Sequence, residues 1–579
     1  MKIINRGLRV EVFGSVVLAL LLLRPSAVES PIADAAMNED FDSVQFLIQE
    51  GEEVNAAQGD GMTALHWAAE NGDVEMLEML MSAGANPEAV TRLGRYTPLH
   101  LASKLGREAS VVSLLRLGSA VNPRTTTGAV TPLHFAAASG SELAVKVLLD
   151  HGANVDAKEL QWDQTPLMFA AALNRVGIID ILVAHGADIS MAAKVIDIAK
   201  RQQEDRADQA QWNNLRRVLA GSPVRNTESK PSNAETQPVP EVQLRAVDEI
   251  DPLSYADLVG THGGLTPLLL SVREGHFEAV RNLLDNGADI NQTSAGDQTS
   301  SILLAAINGH FDLVKQLLEW GADPNIASDA GGTPLYAVLN MEWAPKARHP
   351  QPVDYMQQQI GYLELMEVLL ESGVDPNVRL KKNLWYTTYA RDLLGVDRSG
   401  ATPFWRAAHA TDVAAMELLV RYGADPTIAT RKTPDRRRRR GEQEDFSGLS
   451  PVPVGGRAVA PIVAAAGVGY GQGFAGNSHR HVPDGWIPTV KYLVEEHGAD
   501  VNDRDHNGYS PVHHAAARGD NELILYLVSL GADVTLVSRT GQTTVDLANG
   551  PVQRIQPFPE TIALLESLGA INNHNCLTC

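Results

Sequence analysis

Residues 128–160 read GAVTPLHFAAASGSELAVKVLLDHGANVDAKEL. Gly128 opens a turn. Thr131 stands where a helix N-cap belongs, because its hydroxyl can accept an orphan backbone N–H. Pro132 follows at the first helical position, where a missing N–H costs nothing. Leu133, Ala136 and Ala137 give a short helix with a small-residue face, and Ser139-Gly140 ends it. Leu143, Val145, Val147, Leu148 and Leu149 mark the apolar face of a second helix near 141–150, and Gly152 supplies a left-handed stop. The result is a helix–turn–helix whose apolar stripe has nothing within the unit to cover it.

The opening phrase recurs as Thr63-Ala-Leu-His66, Thr97-Pro-Leu-His100, Thr131-Pro-Leu-His134 and Thr165-Pro-Leu-Met168. It returns as Thr266-Pro-Leu-Leu269, Thr333-Pro-Leu-Tyr336, Thr402-Pro-Phe-Trp405 and Ser510-Pro-Val-His513. Some 20 residues after it comes a second phrase, as in Gly84-Ala-Asn-Pro87, Gly152-Ala-Asn-Val155, Gly186-Ala-Asp-Ile189, Gly321-Ala-Asp-Pro-Asn325 and Gly498-Ala-Asp-Val-Asn502. A period of about 33 to 34 residues means a solenoid, in which each unit buries its stripe only on its neighbours.

The paired phrases resemble the ankyrin repeat family, over roughly two thirds of the chain. The resemblance implies an all-α ankyrin-repeat solenoid of about twelve helix–turn–helix units in two arrays, with short hairpin-like turns. The first array covers 31–220, with units near 31–59, 60–92, 94–126, 128–160 and 162–194 and an off-pattern helical cap rich in Gln, Arg and Asp. Residues 221–250 have linker composition, with Pro223, Pro231, Pro238 and Pro240 among polar residues. The second array covers 251–570, with units near 263–295, 296–328, 330–377, 399–430, 457–506, 507–539 and 540–570 and inserts at 378–400, 428–458 and 467–487. Residues 571–579 form a tail.

In the family, hairpin tips and first helices line a concave partner-binding face. The corresponding tips are Arg92, Arg95, Tyr96, Trp162, Asp163, Asp297 and Gln298. The corresponding helix positions include Glu70, Asn71, Lys104, Leu105, Arg273 and Glu274. The phrase histidines His66, His100, His134 and His513 correspond to residues that make structural hydrogen bonds near the turn, so they are not read as catalytic.

The formal charge is −22, from 48 Lys and Arg against 70 Asp and Glu. Such a chain is a poor general binder of nucleic acid or anionic membrane, and aromatics at 5% offer few stacking platforms for bases. Against that background the inserts stand out. Arg436, Arg437, Arg438, Arg439 and Arg440 form an unbroken basic run in 428–458, and Lys381, Lys382, Trp385, Tyr386, Tyr389 and Arg391 lie in 378–400. Both inserts replace the turn between consecutive repeats. They are expected on one edge as a lip for a protein partner with an acidic surface.

Lys2, Arg6 and Arg9 precede an apolar run from Val12 to Leu23, followed by Ser26, Ala27 and Ser30. That is the layout of a secretory signal peptide over 1–30, cut around 26–35. It implies a periplasmic or secreted protein; the alternative is an uncleaved membrane anchor. The two cysteines, Cys576 and Cys579, sit in the tail. Cys-x-x-Cys admits an inert or reversible disulfide, thiol redox or tethering, or half of a metal or haem site. A reversible disulfide without haem is expected, since no His follows the pair. Gly471-Gln-Gly473-Phe-Ala-Gly476 matches a dinucleotide string without the strand and helix it requires. The sequence holds no His-Glu-x-x-His, no Gly-x-Ser-x-Gly and no phosphate loop with Lys. The expected function is a non-enzymatic, exported interaction scaffold without a cofactor; the alternative is a thiol-redox or electron-transfer accessory acting through the tail.

Overall fold

The computed structural model describes residues 30–219, 253–344, 353–384, 396–434, 444–470, 480–550 and 556–575. Paired helices repeat through them. The unit read from sequence is a helix at Pro132–Ser139 and a second at Glu142–Asp150. The first is capped by Thr131 and the second by Ser141, whose side chain accepts from the Ala144 N–H. Between them Gly140 is left-handed at φ 92°, and after the second Gly152 is left-handed at φ 87°.

Small residues make the stacking close. Leu133, Ala136 and Ala137 of the first helix are buried with Ala144, Val145 and Leu148 of the second. Three hydrogen-bond ladders run across that packing. The tip N–H of one hairpin donates to its predecessor, as from Arg92 to the Asp60 carbonyl (2.7 Å), Thr126 to Gly94 (2.9 Å) and Leu160 to Gly128 (2.7 Å). Asn122 joins the opposite turns, donating to the Gly152 carbonyl (3.1 Å) and accepting from the Asn154 N–H (3.0 Å). The third ladder is made by histidines. His66 Nδ1 accepts from the Thr63 N–H (3.2 Å), while Nε2 lies 3.0 Å from the Tyr96 carbonyl of the next repeat. His100 and His134 repeat this towards Val130 and Gln164, both at 3.1 Å. His66, His100 and His134 are therefore inter-repeat bolts.

Two compact units emerge. The N-terminal unit holds the repeats up to Lys194 together with Thr266–Ser271 and His276–Ala288. In it, Asn174 accepts from the Ala279 N–H (3.2 Å), His276 lies 3.2 Å from the Ala172 carbonyl, and Asn282 donates to Asp180 (2.7 Å). The helix Phe277–Asp285, counted by sequence with the second array, thus packs on Val176–Ala184 of the first. The intervening linker, 221–250, lies outside the described residues.

The C-terminal unit comprises Val195–Leu265, Val272–Gly275 and Asp289–Cys579. The expected cap helix runs Ile198–Leu219, and ahead of it Val195–Asp197 pairs antiparallel with Thr261–Gly263. Four connections between helices carry insertions. Two lie at hairpins, after Tyr362–Glu371 and after Val413–Arg421. Two lie between the helices of one repeat, Pro334–Glu342 to Tyr362–Glu371 and Pro461–Ala465 to Trp486–Glu495. The first of this second pair was not separated from its unit in the sequence. Among the described residues no helix is long and apolar enough to cross a membrane.

Candidate protein-binding edge

The hairpin tips form one continuous edge in each unit. In the N-terminal unit they raise Leu93 and Leu160 into solvent at 84% and 68% exposure, with Trp162 at 41%. Arg92 and Arg95 are exposed beside Leu93, and Arg95 is held at φ 55°. Tyr96 is half-buried against His100 and Phe135, with ring centroids at 5.9 and 5.8 Å, so much of its surface is spent on packing. Trp162 is aimed outward by Glu159, whose buried carboxylate accepts from the Trp162 N–H (2.6 Å) and the Gln164 N–H (3.1 Å).

In the C-terminal unit the same edge is cationic. Lys381 is exposed, and its N–H continues the tip ladder to the Ala330 carbonyl (2.9 Å). Lys382 reaches the Asp257 carbonyl (3.3 Å). Burial lowers its ammonium pKa, opposed by Asp329, Asp297 and Asp257. Sequence reasoning missed four arginines on this edge. Arg379 staples two hairpins by donating to the Gly400 and Ala429 carbonyls (3.0 and 2.6 Å). Arg457 pairs with Asp503 (Nη1 to Oδ1, 2.7 Å). Arg504 donates to the Gly508 carbonyl (2.8 Å) and Arg539 to the His506 carbonyl (2.8 Å). Their signal was available, as an Arg at or near the tip in successive units. Trp385, Tyr386, Arg436 through Arg440, Cys576 and Cys579 lie outside the described residues, as does the Gly471–Gly476 string.

The two inserts between helices meet elsewhere in the C-terminal unit. Arg480 lies 3.6 Å from the Glu342 carboxylate and donates to the Tyr355 hydroxyl. Burial raises the Glu342 carboxyl, Arg480 opposes this, and Asp412 adds to it. Asp412 is buried and accepts from Trp343 Nε1 (2.8 Å), the Tyr362 hydroxyl (2.9 Å) and the Ala415 N–H (3.0 Å). Arg406, 1% exposed, donates to Asn340 Oδ1 (3.0 Å) and the Trp343 carbonyl (2.6 Å). These charges bond inward and hold the inserts to the array. Among the described residues no group of three or more His, Cys, Asp or Glu could hold a metal ion.

Laddered helical pairs with a rigid, chemically varied hairpin edge define a repeat-built solenoid scaffold. Models of ankyrin repeats in three copies match residues 32–127, 109–193 and 247–328, and a model of ankyrin repeats in many copies matches 478–528. Together these span about half the chain, which belongs to the ankyrin repeat family. The rat ankyrin repeat and SAM domain-containing protein 6 is 38% identical over 85 residues, 14% of this chain and 9% of the relative. Mouse protein phosphatase 1 regulatory subunit 27 is 39% identical over 69 residues, 12% of this chain and 44% of the relative. The spider alpha-latrocrustotoxin-Lt1a of Latrodectus tredecimguttatus is 26% identical over 152 residues, 26% of this chain and 8% of the toxin. The chain thus spans less than half the length of each. Ankyrin repeats imply a protein–protein interaction scaffold.

Proposed function

We propose that this protein is an exported, non-enzymatic scaffold that binds a protein partner along its hairpin edges and insert loops. One observation carries the reading. The tips are locked by backbone bonds from repeat to repeat, yet they spend their side chains outward, as Leu93, Leu160 and Trp162 in one unit and Lys381 in the other. A rigid edge presents apolar and cationic groups without paying ordering entropy on association. Aromatic anchors dominate such interfaces. Cations displayed on a chain of net charge −22 favour an acidic partner surface. The regulatory-subunit relative supports a role without catalysis.

Export rests on the basic start, the short apolar run and the small residues that follow. Cleavage before Ser30 would leave the first repeat whole, because Ile32, Ala33 and Ala36 of the helix Pro31–Met37 belong to the core. N-terminal sequencing of native protein from the envelope fraction checks this, and a start at Met1 in the cytoplasm refutes it.

Partner capture from that fraction, followed by titration, tests the edge. Trp162→Ala is expected to lower affinity on the order of tenfold or more, with little loss of stability since the ring is exposed. Lys381→Ser combined with Arg436 through Arg440→Ser is expected to weaken binding and flatten its salt dependence. Lys381 is exposed, the Arg run is read from the sequence as a solvated charge cluster, and charges of that kind steer association while adding little to folding. A partner held equally by both variants, with an unchanged salt slope, refutes the edge as the binding surface.

A further inference from the structure

The insert that carries the basic run does not end in solvent. Beyond it, Glu444 to Val452 runs as a strap outside helix and strand over the tips of the last hairpins, bent at Ser447 and left-handed at Gly448 (φ 68°). Two guanidinium groups hold it. Arg539 donates Nη1 to the Asp445 carboxylate and to the Leu449 carbonyl (3.2 Å), and Nη2 to the Ser450 carbonyl (2.6 Å). Arg504 donates Nη1 to the Ser447 carbonyl (3.2 Å). The Phe446 N–H returns a bond to the Arg539 carbonyl (3.2 Å). The Phe446 ring lies over Gly541, where a Cβ would stand 3.1 Å from it, so the bare glycine is the ring's seat.

We propose that the hairpin edge at Arg504 and Arg539 is a receptor for a short, turn-forming acidic peptide of a protein partner, and that the strap is its resident intramolecular ligand. The contacts define the chemistry. Three strap carbonyls are read by Arg forks across a turn in which Asp445 accepts from the Ser447 N–H (2.9 Å) and Gly448 is left-handed at φ 68°, so the forks read a bent backbone that a Ser-Gly pair favours. Selectivity comes from one carboxylate followed directly by an aromatic ring, as in Asp445-Phe446. Arg504 and Arg539 are themselves anchored by the Gly508 and His506 carbonyls, so the forks stay preformed when the strap leaves. The strap is built to leave. Glu444, Asp445, Phe446, Gly448, Ser450 and Pro451 are all exposed, with Phe446 at 57%. A segment that buries so little apolar surface opens at low free-energy cost. While docked it stands at an effective concentration on the order of millimolar, which excludes weaker or dilute competitors. The inference rests on the hairpin edge being a partner surface and names the partner chemistry at one end of it.

The test uses the full chain and a fluorescein-labelled peptide of sequence EDFSGLSP, matching Glu444–Pro451. Anisotropy is read with wild type, with a loosened strap (Asp445→Gly, Phe446→Gly, Leu449→Gly), and with the loosened strap plus Arg539→Gln. Circular dichroism verifies that each is folded, and hydrogen exchange verifies that the strap amides are released. The loosened chain is expected to bind the peptide at least tenfold more tightly than wild type. A peptide with Asn for its Asp should bind the loosened chain more weakly, and Arg539→Gln should abolish binding. Equal binding to wild type and loosened chain, absence of binding to the loosened chain, or binding that survives Arg539→Gln overturns the proposal. If the peptide fails while Trp162→Ala still loses the captured partner, only the strap assignment falls.

Discussion

Acidification from pH 7 to pH 4 is expected to destabilise the N-terminal repeats by several kcal/mol, through three buried rings. His66, His100 and His134 each have a pKa lowered to about 4, first because burial penalises the imidazolium. Their bonding agrees. Nδ1 accepts the N–H of the capping threonine and Nε2 faces the next repeat's carbonyl, so the neutral Nε2–H tautomer is the one that fits. A proton on Nδ1 would break the cap. An unfolded histidine protonates near 6.5. Between about 6.5 and 4 the unfolded chain therefore holds more protons, and stability falls with falling pH by about 1.4 kcal/mol per unit for each ring. Above this window the contribution is fully present, and below it the loss is complete at roughly 3 kcal/mol per histidine. His513 follows in the C-terminal unit, lowered to about 3, again by burial first.

Urea midpoints at pH 7.5, 6.0, 5.0 and 4.5 measure this. Carboxylates titrate in the same range, so the comparison is with His100→Gln. Its amide oxygen can still accept the Thr97 N–H, as Gln does in a capping box, but it carries no titratable proton. That variant should be less stable at pH 7.5, having lost the bond to Val130, yet show a shallower pH slope. Parallel slopes would mean that the phrase histidines do not carry the acid sensitivity.

Asp412→Ala is expected to cost about 3 kcal/mol in the C-terminal unit. The substitution leaves the Trp343 indole, the Tyr362 hydroxyl and the Ala415 N–H without their acceptor, and buried orphan donors cost on the order of 1 kcal/mol or more each. It also removes the charge that helps raise the Glu342 carboxyl, which should fall towards its ordinary range. Hydrogen exchange should accelerate through Val413–Arg421 and around Trp343, while Val176–Ala184 in the other unit keeps its protection. Asp412→Asn retains a capping oxygen and should fall between. Unchanged exchange in Val413–Arg421 would show that the helix end is held by other contacts.

Thr131, Pro132, His134, Gly140 and Gly152 could be assigned roles from the chain alone, because capping, ring-locked φ and left-handed glycine act within a few residues and repeat with the period. The tip positions Arg92, Arg95 and Trp162 followed from the same register. The inserts were visible as interruptions at 378–400, 428–458 and 467–487, but the break between Pro334–Glu342 and Tyr362–Glu371 was absorbed into a long unit. Its helix-starting signal is weak, since Gly361 caps without a side-chain bond.

The repeat and its helix ends were legible in the chain, since both depend on local spacing and nearest-neighbour stacking. The resemblance gave the histidines a structural role near the turn; their reach to the next repeat's carbonyl came from the structure. Tertiary structure alone decided that Phe277–Asp285 joins the N-terminal unit and that Asp412 and Arg480 bind the inserts to the array. It also decided that Asp445 reaches Arg539. Those contacts join residues tens to more than a hundred positions apart across stretches with no period. Their partners are set by where each insert lands on the assembled stack, and nothing in the flanking sequence encodes that distance.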